Sequence, residues 1–148
     1  MISPEMLRRY PYFAGVSDAS LKAIAVVADE ETVAAGTTMF TEGDPAVKLY
    51  VIVKGQVDIQ YTLGSGELRT VDTLVDGDLL VWSALVEPHK CTTVGTAVRD
   101  TQLLAIDAAK LRELCEQDPL LGHRLMSQVA KLLAHRLEGA RIQLATID

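Results

Sequence analysis

The spacing of apolar residues changes twice along this chain, and the changes predict a β-rich middle between helical ends. Apolar positions recur with helical spacing up to about Glu30, alternate with polar positions after it, and return to helical spacing near Ala108. We therefore expect one domain over residues 1–148, with a helical part over 1–30, a β-roll over 31–107 and helices over 108–148.

The first predicted helix follows Ser17 or Asp18, either of which can cap its start. Its apolar face, which we expect to lie on the sheet, consists of Leu21, Ile24, Ala25 and Ala28. The β-branched and glycine-containing segment 32–38 is expected to end this helix.

Short strands separated by turn signals follow this helix. We predict them over residues 47–54, 56–61, 67–75, 91–98 and 101–106. In the strand predicted over residues 56–61, Val57, Ile59 and Tyr61 alternate with polar residues, so one face should be buried and the other exposed to solvent. Several short antiparallel strands in succession are typical of a barrel or roll. The predicted fold class is therefore α+β, with an antiparallel, jelly-roll-like β-roll (a double-stranded β-helix) flanked by an N-terminal helix and two C-terminal helices.

Asp118 and Pro119 divide the C-terminal part into two helices, because aspartate can cap a new start and proline is tolerated at the first helical position. The second helix is long, on the order of 40 Å, and it carries two apolar stripes. One stripe consists of Leu121, Leu125, Val129 and Leu132. The other follows a seven-residue repeat and consists of Met126, Ala130, Leu133, Leu137, Ala140, Leu144 and Ile147.

Two apolar stripes predict two neighbours for this helix. One neighbour is the chain's own roll, and the simplest second neighbour is the matching helix of another copy, since the helix is longer than a small roll can cover. The predicted homodimer contacts are Met126, Ala130, Leu133, Leu137, Ala140 and Leu144. The alternative is a single broad stripe packed within one subunit. The basic residues of the helix are expected on a solvated face; they are Arg124, Lys131, Arg136 and Arg141.

Composition narrows the class of protein. The chain has 148 residues, of which 49% are hydrophobic and 23% charged, and this length suits one ordinary core. The net charge of −6 argues against a nucleic-acid surface, which needs basic residues. No apolar stretch approaches the roughly 20 residues of a membrane-spanning helix, and the start lacks a signal-peptide pattern, so we expect a cytoplasmic protein without membrane contact.

Cysteine and histidine residues are isolated from one another in the sequence. Cys91 and Cys115 form no metal-ligand spacing, and neither do His89, His123 and His135. We therefore predict two reduced thiols and no metal site.

The segment over residues 77–94 carries the most informative chemistry. It predicts a turn at Gly77, a short helix and then a strand. Backbone N–H groups at the start of that helix can hold a phosphate. Lys90 is either the cation in reach of that phosphate or an ordinary solvated lysine at the end of a loop. A sugar beside such a phosphate normally needs a carboxylate to accept its hydroxyl protons, and the segment has Trp82 instead. The segment therefore indicates a nucleotide pocket that has lost its acidic group.

Several motifs, in this order and spacing, carry a family resemblance over nearly the whole chain. They are LRR at Leu7–Arg9, PYFAGVS at Pro11–Ser17, MFTEGD at Met39–Asp44, LYVIVKGQV at Leu49–Val57 and the Gly77-Asp78 pair. The chain resembles the cyclic nucleotide-binding domains, including the effector half of catabolite activator-type bacterial regulators. This resemblance implies a β-roll flanked by helices, a phosphate-binding cassette inside the roll, and a long terminal helix that closes over the ligand and dimerises.

The resemblance also implies roles for cassette residues, and here the sequence departs from the family pattern. Members that bind cyclic AMP or cyclic GMP carry a Gly-Glu pair at the cassette helix start, with the glutamate accepting the ribose 2′-hydroxyl, and an arginine paired to the phosphate. The corresponding positions hold Val81, Trp82 and Lys90, and Cys91 stands where a hydroxyl is common. Loss of the glutamate alone should weaken binding about ten- to a hundredfold. The candidate ligand-binding residues are Leu80, Val81, Trp82, Ser83, Ala84, Lys90, Cys91 and Thr92.

We expect a ligand-sensing regulatory domain rather than an enzyme. It would bind cAMP or cGMP weakly, or a different effector, and signal through the dimerising last helix. The competing interpretation is a dimeric interaction or scaffold module that binds nothing small. A cupin-type enzyme would need clustered histidines and a carboxylate for its metal, which the sequence lacks.

Family regulators that bind DNA carry a helix-turn-helix domain after the long helix, whereas this sequence stops at Asp148. If the sequence is complete, we expect no direct contact with nucleic acid and an output through another protein.

Overall fold

Two four-stranded antiparallel sheets, with helices before and after them in the chain, make up the computed structural model, which describes residues 1–147. The strands are β1 (Ala28–Val33), β2 (Thr38–Phe40), β3 (Lys48–Lys54), β4 (Gln56–Thr62), β5 (Leu68–Val75), β6 (Leu79–Leu80), β7 (Val94–Ala97) and β8 (Thr101–Asp107). The helices are α1 (Pro4–Arg8), α2 (Asp18–Val26), α3 (Ala108–Gln117) and α4 (Pro119–Ala145), with 3₁₀ turns at Pro11–Phe13 and Trp82–Ala84. Asp148, the last residue of the predicted domain, lies outside the described residues.

The two sheets form the predicted antiparallel β-roll. Strand order is β1-β8-β3-β6 in one sheet and β2-β7-β4-β5 in the other. Strands β4 and β5 form a hairpin whose register runs from the Gln56–Val75 pair to the Thr62–Leu68 pair. The α+β class and the flanking helices are confirmed.

The core has two parts. Five buried residues form the cluster inside the roll: Ile52, Val57, Leu74, Leu80 and Leu103. A larger cluster lies where the helices cover the first sheet, and it includes the fully buried Leu7, Phe13, Leu21, Ile24 and Leu111. Burying each such side chain is worth about 1.5–3 kcal/mol, so the helices are held to the roll by this second cluster.

The N-terminal boundary of the roll lies earlier than the sequence pattern predicts. Helix α2 ends at Val26, and Ala28, which was expected on its apolar face, is the first residue of β1 and pairs with Ile106 of β8. Hydrogen bonding to the long central strand β8 therefore outweighs the helical spacing of the apolar residues. Ser17 is confirmed as the cap, since its hydroxyl accepts a hydrogen bond from the Ser20 backbone N–H at 3.2 Å.

Helices at the chain's start and strands at the cassette also differ in detail from the prediction. The N-terminal part contains a second short helix, α1, which the apolar spacing did not indicate. The strand expected over 91–98 is shorter, because only Val94–Ala97 pairs with its neighbours.

Helix α4 starts where Asp118 predicts. The Asp118 carboxylate accepts a hydrogen bond from the Leu121 backbone N–H at 3.3 Å, which confirms the cap. Leu121, Leu125 and Val129 are buried against the body of the molecule, whereas the helix beyond Arg136 is exposed to solvent throughout the described residues. The helix therefore packs along its first half and leaves its second half largely uncovered.

Candidate ligand-binding site

A cavity of about 590 Å³ lies between the second sheet, the cassette and the second half of α4. The strands contribute Phe40, Ile59, Tyr61, Val71, Asp72, Leu74 and Leu80. The segment after β6 contributes Val81, Trp82, Ser83, Cys91, Thr92 and Thr93. Helix α4 contributes Leu133, Arg136, Leu137, Ala140, Gln143 and Leu144, and Ile147 follows the end of the helix. Any molecule in this cavity would touch both the roll and the helix.

The turn before the cassette is fixed by backbone hydrogen bonds. Gly77, with a φ of 89°, donates to the Ile52 carbonyl at 2.7 Å, and the Asp78 carboxylate accepts from the Val75 N–H at 2.8 Å. Left-handed backbone of this kind favours glycine. The Tyr12 hydroxyl donates to the Gly77 carbonyl at 2.9 Å, and burial raises the pKa of Tyr12, so this donor stays protonated at neutral pH. The cassette is thereby tied to the N-terminal segment.

The short helix predicted in the cassette is a single 3₁₀ turn over Trp82–Ala84. Val81 precedes it in a left-handed conformation, with φ 63° and ψ 53°, and makes no side-chain capping hydrogen bond. The Ala84 N–H donates to the Val81 carbonyl at 3.0 Å, which closes the turn. The start of the turn thus presents backbone rather than a polar side chain to the cavity.

Six of the eight predicted site residues line the cavity: Leu80, Val81, Trp82, Ser83, Cys91 and Thr92. Ala84 is buried beside the wall rather than in it, and its carbonyl accepts a hydrogen bond from Arg112 Nη1 at 2.7 Å. Lys90 is exposed and outside the wall, and its backbone bridges to Pro45. The cation expected in reach of a bound phosphate therefore does not face the cavity.

Arg136 is the only lysine or arginine in the wall among residues 1–147, and the sequence analysis placed it on a solvated face. Its Nη2 donates to the Leu79 carbonyl at 3.1 Å, and the contact is partly buried. One sequence signal could have identified it. Arg136 lies four residues after Leu132, so it continues the stripe that packs on the roll.

The remaining polar groups of the wall suit binding better than acid–base chemistry. Burial raises the pKa of the Cys91 thiol, and the nearby Asp44 carboxylate acts in the same direction. A protonated thiol is a weak donor and a poor nucleophile. Asp72 is exposed on the edge strand β5, where its carboxylate accepts a hydrogen bond from the Thr73 N–H at 2.9 Å.

The residues expected at a dimer interface divide into two groups. Leu133, Leu137, Ala140 and Leu144 line the cavity, whereas Met126 and Ala130 do not. Leu137 is 53% exposed and Leu144 70% exposed in the single chain, so the cavity alone does not cover them.

Within residues 1–147, no three or more histidine, cysteine, aspartate or glutamate side chains are placed together to hold a metal ion. None of the helices in this part of the chain is long and apolar enough to cross a membrane.

Comparison with known proteins connects this geometry to a family. The profile described as cyclic nucleotide-binding domain matches residues 30–118. A structure from Geobacter metallireducens GS-15, described as a cyclic nucleotide-binding protein, is 34% identical, has a TM-score of 0.84, and is matched over 93% of this chain and 99% of its own.

Two longer bacterial proteins are similar to this chain over part of their length. The CRP-like cAMP-activated global transcriptional regulator of Mycobacterium tuberculosis is 24% identical over 97% of this chain and 62% of its own length. The cyclic AMP receptor protein of Thermus thermophilus is 33% identical over 74% of this chain and 49% of its own. The aligned part is therefore less than two thirds of the length of each relative.

Proposed function

Because this chain belongs to the cyclic nucleotide-binding domain family, we propose that it is a non-catalytic, ligand-sensing regulatory domain that signals through α4. The observation that carries this proposal is the shared wall of the cavity, to which α4 and the cassette both contribute. A ligand that fills the cavity would contact both, so it would favour whichever position of α4 completes its contacts.

The effector is either a cyclic nucleotide bound weakly or a different small molecule. Trp82 lines the cavity and offers an indole where the family pattern has a glutamate, and Lys90 is exposed and does not line the cavity. A bound ribose would therefore lack a carboxylate acceptor in the cassette, and its phosphate would lack the cassette cation.

We expect two copies of the chain to pair through their α4 helices, and the resulting homodimer to pass the signal to another protein. The exposed apolar stripe supports this step, because Met126 is 41% exposed and Leu144 is 70% exposed in the single chain. Large exposed apolar patches of this kind mark interaction surfaces. A matching α4 helix would cover the stripe along its length.

The first test is titration calorimetry with cAMP and cGMP. We expect a dissociation constant far above the micromolar range, and at millimolar cAMP only a small rise in Tm, since stabilisation grows as RT ln(1 + [L]/Kd). A micromolar dissociation constant would contradict the proposed weak binding.

The second test is the mass in solution, by light scattering. The unaltered chain should be a dimer, and Met126→Glu, which changes the stripe outside the cavity, should give monomers because a buried unpaired carboxylate is costly. Leu120→Glu is the matched control, because Leu120 is 60% exposed on the same helix but outside the stripe. A Met126→Glu protein of unchanged mass would exclude this interface. A dimer that binds no small molecule would instead indicate the scaffold function.

A further inference from the structure

The wall of the cavity contains one cationic side chain, Arg136, which has no anionic partner among residues 1–147. Arg136 carries five N–H donors and is partly buried in the wall, yet its one hydrogen bond among the described residues goes to a neutral acceptor, the Leu79 carbonyl. The ion pairs found within residues 1–147 do not include Arg136. A partly buried guanidinium is stabilised by an anion, and its planar fork suits a carboxylate, sulfonate or phosphate group.

The wall around this cation is otherwise mainly apolar. Aromatic and aliphatic side chains dominate it, among them Phe40, Ile59, Trp82 and Leu137. A volume of about 590 Å³ lies within the range of pockets for small organic ligands. Hydroxyl groups placed against the apolar part of this wall would lose hydrogen bonds to water without replacement, which disfavours a sugar in that part.

The carboxylate of Asp72, the other charged side chain of the wall, does not neutralise the charge of Arg136. Asp72 is exposed on the edge strand, and its carboxylate accepts a hydrogen bond from the neighbouring backbone. Charge near solvent is screened far more than charge in the partly buried part of the wall.

We propose that the ligand is an amphipathic organic anion, with an aromatic or aliphatic body in the apolar part of the cavity and one acidic group on Arg136. This inference rests on the proposed function and narrows its effector to a chemical class. The acidic group would take the guanidinium donors that the Leu79 carbonyl leaves unused.

The test compares two fluorescent probes that differ by one charged group: anilinonaphthalene sulfonate, and phenylnaphthylamine, which is the same molecule without the sulfonate. The chain has a single tryptophan, Trp82, and it lines the cavity, so energy transfer from it to the probe reports binding in its neighbourhood, and the variants below assign that binding to the cavity. On the unaltered protein, the sulfonate probe should bind about ten- to a hundredfold more tightly.

Three variants assign that preference to one side chain. Arg136→Gln should remove the preference, so that this variant binds the two probes with similar affinity, and Arg136→Lys should keep part of the preference. Arg141→Gln is the matched control, because Arg141 is exposed on the same helix and does not line the cavity. The comparison of the two probes on the unaltered protein holds even if a variant fails to fold.

The outcomes separate this inference from the proposed function. If both probes accept energy from Trp82 with equal affinity, or the neutral one binds better, the anionic class is wrong while a ligand-binding cavity stands. If neither probe binds near Trp82, both the anionic class and the ligand-sensing function are refuted.

Discussion

The backbone at Val81 provides a sharp test of the structure, because it combines a left-handed conformation with a β-branched side chain. Its φ of 63° and ψ of 53° lie where L-residues suffer a clash between Cβ and the carbonyl oxygen. That clash is worth about 1–2 kcal/mol. Val81 keeps this conformation because it packs against both parts of the core.

The comparison of two substitutions isolates the strain. Val81→Ala removes methyl groups but keeps the Cβ atom, whereas Val81→Gly removes the Cβ atom as well. At an ordinary position glycine is the less stable of the two by about 0.5–1 kcal/mol. At a positive φ the order reverses, so we expect Val81→Gly to exceed Val81→Ala by about 1 kcal/mol in free energy of unfolding. For a domain of this size the gap corresponds to a difference of roughly 3 °C in Tm.

Urea unfolding at one protein concentration measures this difference, since dimerisation would make stability concentration-dependent. The control is the same pair of substitutions at Val75, which is 47% exposed in the extended strand β5. There the alanine protein should be the more stable one. A Val81→Gly protein no more stable than Val81→Ala would refute the left-handed conformation and the cassette geometry that depends on it.

Two other predictions concern stability. Gly55→Ala should lower the free energy of unfolding by more than about 1 kcal/mol in a thermal melt, because Gly55 has a φ of 141° and an added Cβ would lie 2.8 Å from the Thr101 Cα, whereas Gly64→Ala, in open space, should not. The hydrogen bond from Ser20 lowers the pKa of Asp118, so the ionised form stabilises the fold above about pH 4 and this contribution is lost as the pH falls through the lowered pKa. Asp118→Asn should therefore flatten the acid side of the stability profile; an identical profile would contradict this role.

The roll could be predicted from the sequence because its strands follow local rules. Alternation of apolar and polar residues located β4, and the capping residues Ser17 and Asp118 located the starts of α2 and α4. The boundary at Ala28 could not be predicted in this way, since it depends on pairing with β8, which lies far away in the sequence. Local spacing does not report pairing partners.

The place of the cassette in the fold could be predicted from the sequence, because turn signals mark where the chain leaves the sheet at Gly77. Trp82 and Cys91 of this segment line the cavity, and their role in binding stays a prediction. The positions of Lys90 and Arg136 relative to the cavity could not be predicted from the sequence, since a long side chain can point into a wall or into solvent at the same position. The Arg136 side chain lies in the wall because α4 approaches the Leu79 carbonyl, a tertiary contact that the sequence does not reveal.

Arg136 offers a route by which ligand binding could affect the proposed dimer. The same guanidinium donates to the Leu79 carbonyl and lines the cavity, so an anion on its remaining donors would contact α4 at the point where the helix is bonded to the cassette. If α4 can take two positions, a ligand shifts the equilibrium between them only as far as it binds one position more tightly than the other. By linkage, dimerisation of α4 would change the affinity for the anion by the same factor as the anion changes dimerisation. Arg136→Gln should therefore reduce both the effect of the anion on dimerisation and the effect of dimerisation on the affinity for the anion. If Arg136 were only a structural contact, its loss would weaken the dimer without altering the preference for an anionic probe.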